Sequence, residues 1–279
     1  MTLTSASPRL SAAHRHWLIV LAGLVVTLAL LMHGVERWYA PLALVGAGAL
    51  LHVIVGAALV VVAALMMRGR GHRHDAPPGV VLRTPRLYDA VVRLMSLGRE
   101  RRMRADWLDL AALRPGEAVL DVGCGTGTLL LAAAERVGPT GALRGLEAAP
   151  EMIEHAHAKA RAQGLALELA QGSADRLPYA DASFDVALCT LVLHHLPEDV
   201  QRAALVELGR VLRPGGRVVI VDLHPRPGLL RRLGSIVALA HGSAAKAVVD
   251  VEVELRALGA VDIEAHDRGA LLATRARFP

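Results

Sequence analysis

Segments that predict β-strands alternate with segments that predict helices from residue 118 to residue 224, and this alternation restricts the fold more than any other feature. Short runs rich in Val, Leu and Ile indicate buried strands, while longer segments with charges at helical spacing indicate helices. The predicted strands are 118–122, 142–147, 166–172, 184–192, 217–224, 261–267 and 270–278, and the predicted helices are 129–137, 150–164 and 198–212. The sequence therefore predicts an α/β fold with a doubly wound, mainly parallel seven-stranded sheet.

A glycine-rich loop, GCGTG, follows the first predicted strand and carries Gly123, Gly125 and Gly127. A dinucleotide-binding loop has the pattern Gly-x-Gly-x-x-Gly, but here the third glycine comes one position early and Thr128 stands in its place. A P-loop would need a Lys, and none is near. The loop therefore favours an uncharged or zwitterionic ligand over a phosphate, and hydride transfer to NAD is the weaker alternative.

Glu147 ends the second predicted strand, 20 positions after Gly127. A carboxylate at this distance accepts hydrogen bonds from ribose hydroxyls in nucleotide-binding α/β folds. Because NAD-binding folds share this spacing, it does not identify the ligand. The alternative interpretation is an exposed acid at the end of a strand.

Four ordered motifs resemble those of the class I S-adenosylmethionine-dependent methyltransferases, and in particular the group that includes the ubiquinone and menaquinone biosynthesis enzymes. They are VLDVGCGTGTLLL (119–131), LRGLEAAPEMIEHAHAKA (143–160), QGSADRLPYADASFDVALCTLVLHHLPE (171–198) and ELGRVLRPGGRVVIVD (207–222). The resemblance covers roughly residues 85–279. It implies a Rossmann-like methyltransferase fold with S-adenosyl-L-methionine as the methyl donor.

The resemblance also implies a donor-binding role for ten residues, namely Asp121, Gly123, Cys124, Gly125, Gly127, Glu147, Met152, Ser173, Ala174 and Leu191. Asp121 and the loop backbone would hold the methionyl end, Glu147 the ribose hydroxyls, and Met152 the adenine. Ser173 stands where the family usually has Asp, so its adenine contact would be weaker, although the Ala174 N–H is retained. Leu191 would line the sulfonium end.

Candidates for a general base lie at the predicted strand ends and are His194, His195, Asp222 and His224. Methyl transfer needs a base only if the acceptor loses a proton, which histidine can accept near neutral pH. The adjacent pair His194–His195 is therefore our catalytic prediction. The alternative is that this pair only shapes the turn after the fourth strand.

Two apolar runs precede the α/β pattern and predict a transmembrane helical hairpin over residues 17–67. The stretch 48–67 is charge-free and, at about 1.5 Å per residue, spans a bilayer core of about 30 Å. The hairpin follows a segment 1–16 and precedes a linker 68–84 and a methyltransferase domain 85–279. A signal peptide in the first run and a buried soluble helix in the second are the alternatives.

Arginines flank the predicted hairpin on its outer sides, at Arg9, Arg15, Arg68, Arg70 and Arg73. Because Lys and Arg near span ends favour the cytoplasmic side, both termini are expected there. The residues predict an enzyme of the bacterial inner membrane whose catalytic domain faces the cytoplasm.

Composition argues against two other classes of ligand. The formal net charge is +5, but aromatic residues make up only 3% of the chain, so we expect no nucleic-acid partner. The two cysteines, Cys124 and Cys189, lack metal-ligand spacing. The histidine pairs 14/16, 72/74 and 155/157 have no Cys or acid cluster to complete a site, so we predict solvated histidines and no metal.

A segment rich in Leu with two adjacent arginines, residues 225–247, follows the fifth strand and predicts either an interfacial helix or a lid. Together with the hairpin, it favours a small lipophilic acceptor such as a quinone precursor or a phospholipid amine. The alternatives are a methyltransferase of a soluble metabolite, with the hairpin serving only for location, and a non-catalytic cofactor-binding module that regulates a membrane partner.

Overall fold

The strands predicted after residue 117 form a single sheet with helices packed on it. The computed structural model describes residues 82–96, 98–224, 248–269 and 271–279. The strands are β1 (Ala118–Val122), β2 (Ala142–Glu147), β3 (Glu168–Gln171), β4 (Phe184–Thr190), β5 (Leu212–Leu223), β6 (Val261–Asp267) and β7 (Leu271–Arg277). The helices are α1 (Pro85–Met95), α2 (Glu100–Ala111), α3 (Thr128–Val137), α4 (Pro150–Ala162), α5 (Glu198–Val211) and α6 (Val251–Ala257), with a 3₁₀ turn at Leu193–His195.

The sheet has seven strands in the order β3-β2-β1-β4-β5-β7-β6. Strands β1 to β5 pair in parallel, whereas β7 is antiparallel to both of its neighbours. The chain runs outward from β1 to β3 and then resumes on the other side of β1 with β4. This reversal between β1 and β4 is a topological switch point, where α/β sheets bind ligands. The predicted α/β, mainly parallel seven-stranded fold is confirmed.

Apolar side chains on alternate strand positions cover both faces of the sheet, because successive residues of a strand point to opposite sides. In β1, Val119 belongs to the apolar cluster with α2 and α3, while Leu120 and Val122 belong to the cluster on the opposite face that includes α5. Burial on both faces explains why the central strands are continuous apolar runs rather than alternating ones.

Several element bounds differ from the predictions. Helices α1, α2 and α6 were not predicted, and β5 begins at Leu212 rather than at residue 217. Strand β4 ends at Thr190 rather than at residue 192, because Leu191 adopts a left-handed conformation with φ of 59°. A non-glycine residue in this region interrupts an extended strand and is uncommon.

Several predictions concern residues that the structure does not describe. The segment 1–16, the transmembrane hairpin 17–67, most of the linker 68–84 and the segment 225–247 lie outside the described residues. Among the helices that are described, none has the length and apolar character needed to cross a bilayer.

Candidate functional site

The glycine loop, residues 123–127, follows β1 at the switch point. Its glycines differ in how much space surrounds them. Gly123 has φ of 72°, and a Cβ there would lie 2.3 Å from Val192 Cγ2. Gly127 has φ of 72°, and its Cβ would approach Ala156 Cβ to 3.0 Å. Gly125 has φ of 53° but its nearest neighbour, the Tyr88 ring, would be 3.9 Å away. Two glycines therefore permit close packing, whereas Gly125 leaves room beside the backbone.

Glu147 is fixed to this loop through its carboxylate. Its Oε2 accepts the Gly125 N–H at 2.9 Å, and its Oε1 accepts the N–H groups of Ala148 and Ala149 at 2.9 and 3.0 Å. Burial raises the pKa of Glu147 above its usual value, and the three amide donors oppose that shift. A carboxylate has about four acceptor sites, so Glu147 can accept a further hydrogen bond from a ligand hydroxyl.

Asp121 is buried at 1% exposure in β1, and its Oδ1 has no hydrogen-bond partner. The pKa of Asp121 is raised to about 8, chiefly by burial and then by the nearby Glu147 charge, while Arg104 acts in the opposite direction. Arg104 is itself buried, and its Nη1 has no hydrogen-bond partner, although Glu100 Oε2 lies 3.6 Å away. Buried polar atoms without partners are rare in folded proteins, so this pair indicates a ligand that supplies them.

The pair also has the chemistry that an α-amino acid needs, because a carboxylate binds an ammonium group and a guanidinium binds a carboxylate. The residues present therefore fit the methionyl end of S-adenosylmethionine. Arg104 was not predicted as a site residue. The feature that could have indicated Arg104 as a site residue is its helical spacing: it lies on the same face of α2 as the buried residues Trp107 and Leu108.

Helix α1 reaches the glycine loop through a polar cluster that the sequence did not predict. Lys159 Nζ donates to Asp89 Oδ2 at 3.1 Å and to the hydroxyls of Thr126 and Thr128 at 3.0 and 2.5 Å. The Thr126 hydroxyl donates to Asp89 Oδ1 at 2.7 Å. Burial lowers the pKa of Lys159, and Asp89 opposes this shift. The cluster joins α1, α4 and the loop, and so holds Tyr88 beside Gly125.

His155 belongs to the edge of this cluster, with Nε2 3.3 Å from Asp89 Oδ2. The prediction of a solvated histidine at this position was wrong, because α1 packs over α4 and half-buries the ring. Among the described residues, no group of three or more His, Cys, Asp or Glu is placed to hold a metal ion.

The other predicted donor-binding residues lie around the same edge of the sheet. Met152 is buried near the N-terminus of α4, and Ala174 is buried after β3. The Ser173 hydroxyl is hydrogen-bonded to the Asp175 carboxylate, which brings an acid next to the position where the family usually has Asp. Asp175 was not predicted.

Cys124 presents only its backbone to this edge. Its side chain packs inward with Leu130, Leu131 and Ala160, and burial raises the pKa of its thiol well above the ordinary value. The Cys124 N–H donates to Leu146 O at 3.0 Å, which fixes the loop to β2. A ligand role for Cys124 is thereby limited to its main chain.

The turn after β4 carries Leu191 and the two predicted catalytic histidines. Leu191 N donates to Val221 O at 2.7 Å, and the rings of His194 and His195 contact each other at a tilt of 43°, with centroids 3.9 Å apart. His194 Nδ1 lies 2.6 Å from Asp222 Oδ1 at the end of β5. The structure therefore brings together three of the four predicted base candidates, and His224 follows one residue beyond β5.

Comparisons with known proteins agree with this geometry. A family model described as "Methyltransferase domain" matches residues 119–216. A demethylmenaquinone methyltransferase of Lactobacillus johnsonii is 36% identical over 149 residues, which are 53% of this chain and 60% of that protein. A 2-phytyl-1,4-naphtoquinone methyltransferase of Synechococcus elongatus is 34% identical over 168 residues, covering 58% of this chain and 70% of that protein.

A crystal structure of an S-adenosylmethionine-dependent methyltransferase from Aquifex aeolicus has the same fold, with a TM-score of 0.50 and 22% identity. It aligns with 63% of this chain and 89% of that one. The chain spans about 60% of the length of the Lactobacillus johnsonii relative.

The sheet order and the glycine loop at its switch point define a Rossmann-like, cofactor-binding α/β domain. With the relatives above, the chain belongs to the class I S-adenosylmethionine-dependent methyltransferases.

Proposed function

We propose that this chain transfers a methyl group from S-adenosylmethionine to a small lipophilic acceptor at the cytoplasmic face of a bacterial inner membrane. The observation that carries the donor assignment is the pair of buried atoms without hydrogen bonds, Asp121 Oδ1 and Arg104 Nη1. S-adenosylmethionine, when bound, supplies an electrophilic methyl group on a positively charged sulfur.

The chain's own residues account for binding and orientation. Asp121 accepts from the ligand ammonium, Arg104 donates to its carboxylate, and Glu147 accepts from a ribose hydroxyl. Gly125 leaves room for the ligand beside the main chain, and Tyr88 covers that position from α1. Fixing both reactants in this way is a large part of the catalysis of a displacement reaction, because it removes the entropy cost of bringing them together.

A quinone-like acceptor is supported by the two relatives described above, whose names specify quinone substrates. It is also supported by the apolar segments 17–67 and 225–247 in the sequence. A hydroquinone has an acidic O–H whose loss increases the nucleophilicity of the ring, so it suits a site with a base at the end of β4.

The acceptor assay uses membranes that contain the full chain, with S-adenosylmethionine carrying a radioactive methyl group. The acceptor probes are a short-chain demethylated naphthoquinol, phosphatidylethanolamine and a water-soluble catechol. We expect label in the organic phase with the naphthoquinol at a rate at least about tenfold above the other probes, since a pocket's discrimination of substrates is typically of this order or greater.

The control is Gly125→Arg, whose side chain would fill the space beside Tyr88. Label confined to the aqueous phase would instead support a soluble acceptor. Release of S-adenosylhomocysteine no greater than with Gly125→Arg would contradict a catalytic role.

For the membrane location, we expect the full chain to stay in the membrane fraction after carbonate extraction and to be released only by detergent. The reason is the charge-free stretch 48–67, which is long enough to span a bilayer core of about 30 Å. As a control, Val53→Arg with Val60→Asp places two charges in that stretch and should move the protein to the soluble fraction. Extraction of the unaltered chain by carbonate alone would overturn the anchor.

A further inference from the structure

The carboxylate of Asp222 is shared between a turn and a histidine. Its Oδ2 accepts the N–H groups of Val192 and Leu193 at 3.1 and 2.7 Å, and its Oδ1 accepts the Leu223 N–H at 2.7 Å. The same Oδ1 lies 2.6 Å from His194 Nδ1. Asp222 is buried at 4% exposure, whereas the His194 side chain keeps 17%.

This arrangement determines which histidine nitrogen carries the proton. Three main-chain N–H groups point at the Asp222 oxygens, so both oxygens act as acceptors and the histidine nitrogen that faces Oδ1 acts as the donor. The proton between the two groups therefore belongs to His194 Nδ1, and the lone pair is on Nε2. Contact with the tilted His195 ring restricts the orientation of the imidazole further.

The turn that carries His194 also contacts the donor site. Val192 packs against Gly123, where an added Cβ would come within 2.3 Å of Val192 Cγ2. Asp222 holds Val192 and Leu193 by their N–H groups, so one carboxylate fixes both the turn and the imidazole. The His194 ring follows two positions after the residue that touches the glycine loop.

We propose that Asp222 is a positioning residue that holds His194 as the Nδ1–H tautomer, with Nε2 ready to take a proton from the methyl acceptor. This inference rests on the proposed methyltransferase function. The acceptor O–H proton moves to His194 Nε2, the O–H electron pair forms a carbon–oxygen π bond, and a ring π pair forms the new bond to the methyl carbon. The carbon–sulfur bond breaks with its pair on sulfur. The methylated ring carbon then loses its hydrogen as a proton to water, its C–H pair restores the aromatic ring, and the oxygen takes back the proton from the imidazolium. Asp222 only accepts the hydrogen bond from Nδ1 throughout.

If Asp222 served only to hold the turn, Asp222→Asn would leave the tautomer of His194 unchanged. The asparagine carbonyl can still accept from Val192 and Leu193, two donors against the single Leu223 N–H on the other side. This directs the NH₂ group at His194 Nδ1, and only the Leu223 N–H loses its acceptor. That NH₂ group donates, so it should shift the histidine proton to Nε2 and remove the base while the turn is retained. The substitution therefore separates the two roles.

The first measurement is the histidine tautomer by ¹⁵N NMR of the full chain in detergent, labelled at histidine, with His194→Gln identifying the signal. We expect a protonated Nδ1 in the unaltered protein and a protonated Nε2 in Asp222→Asn. His157→Gln, on α4, is the matched control and should leave the His194 signal unchanged. A protonated Nδ1 in both proteins would overturn the proposal. This measurement needs no acceptor, so its outcome is independent of the proposed function.

The second measurement is the rate with the naphthoquinol probe. Asp222→Asn and His194→Gln should each lower kcat by about 100-fold or more, in the range of general-base catalysis, while KM for both substrates changes less than about threefold. Added imidazole should restore part of the rate to His194→Gly but not to Gly125→Arg. A loss confined to KM or to thermal stability would assign Asp222 to the turn alone.

Discussion

Asparagine in place of Asp121 should abolish the proton release that accompanies S-adenosylmethionine binding and weaken that binding by more than about 100-fold. The pKa of Asp121 is about 8 because burial and then the Glu147 charge disfavour ionisation, so the carboxyl is protonated at pH 7 without a ligand. A ligand ammonium favours the ionised form. Binding at pH 7 should therefore release up to one proton, and the affinity should rise by up to about tenfold per pH unit below pH 8.

Calorimetry at pH 7 in phosphate and in Tris, which differ in ionisation enthalpy, measures this proton release directly. Asp106→Asn, an exposed site on α2, is the control and should behave as the unaltered protein. Equal binding by Asp121→Asn, or equal heats in both buffers for the unaltered chain, would contradict the donor assignment.

The same pKa predicts how stability depends on pH in the absence of ligand. The folded pKa of Asp121 is raised above the unfolded value of 3.8, so the folded protein binds the extra proton between about pH 4 and pH 8. This contribution to stability is complete below about pH 4, falls progressively as the pH rises toward 8, and is lost once the pH has passed 8. Asp121→Asn should therefore unfold at a higher temperature than the unaltered protein at pH 8.5.

Methionine in place of Arg217 should lower the free energy of unfolding by about 3–5 kcal/mol, the usual cost of removing one partner of a buried ion pair. Arg217 is 7% exposed and donates to both Glu117 carboxylate oxygens at 2.9 and 2.7 Å. It also donates to the main-chain oxygens of Ala111 and Ala112 at 2.8 and 3.0 Å. The substitution would leave a charged carboxylate and the C-terminus of α2 without these donors.

Urea unfolding followed by circular dichroism provides the measurement. Arg213→Met, which removes the exposed pair with Asp185, should cost no more than about 1 kcal/mol. The double variant Arg217→Met with Glu117→Leu should recover part of the loss, because it no longer buries an unpaired charge. Equal losses of unfolding free energy for Arg217→Met and Arg213→Met would show that burial does not increase the contribution of the Arg217 ion pair to stability.

The strands and the acids at their ends could be predicted because their signals are local. The bounds of β1, β2 and β6 agree with the sequence patterns, and Asp121 and Glu147 lie at the switch point as the motifs implied. Each of these signals lies within one strand–loop unit, where hydrophobic period and turn chemistry act together.

The residues that complete the site depend on contacts between distant segments and could not be predicted in this way. Asp89 and Lys159 are 70 positions apart, and Arg104 reaches the site only because α2 packs on the sheet. Helix α2 carries several charges, so its apolar stripe is weak in sequence. The same kind of contact explains the error at His155, since nothing near it in sequence indicates that α1 covers it.

The antiparallel strand β7 lies between β5 and β6 and is the last strand of the sheet in chain order. Its residues pair with β5 from Arg217 to Leu223, so Asp222 lies opposite Leu272. During synthesis, the edge of β5 next to the turn at Leu193–His195 therefore stays open until the ribosome has released residues 271–277. The half of the site that holds His194 would then be the last to become rigid, after the half that binds the methyl donor.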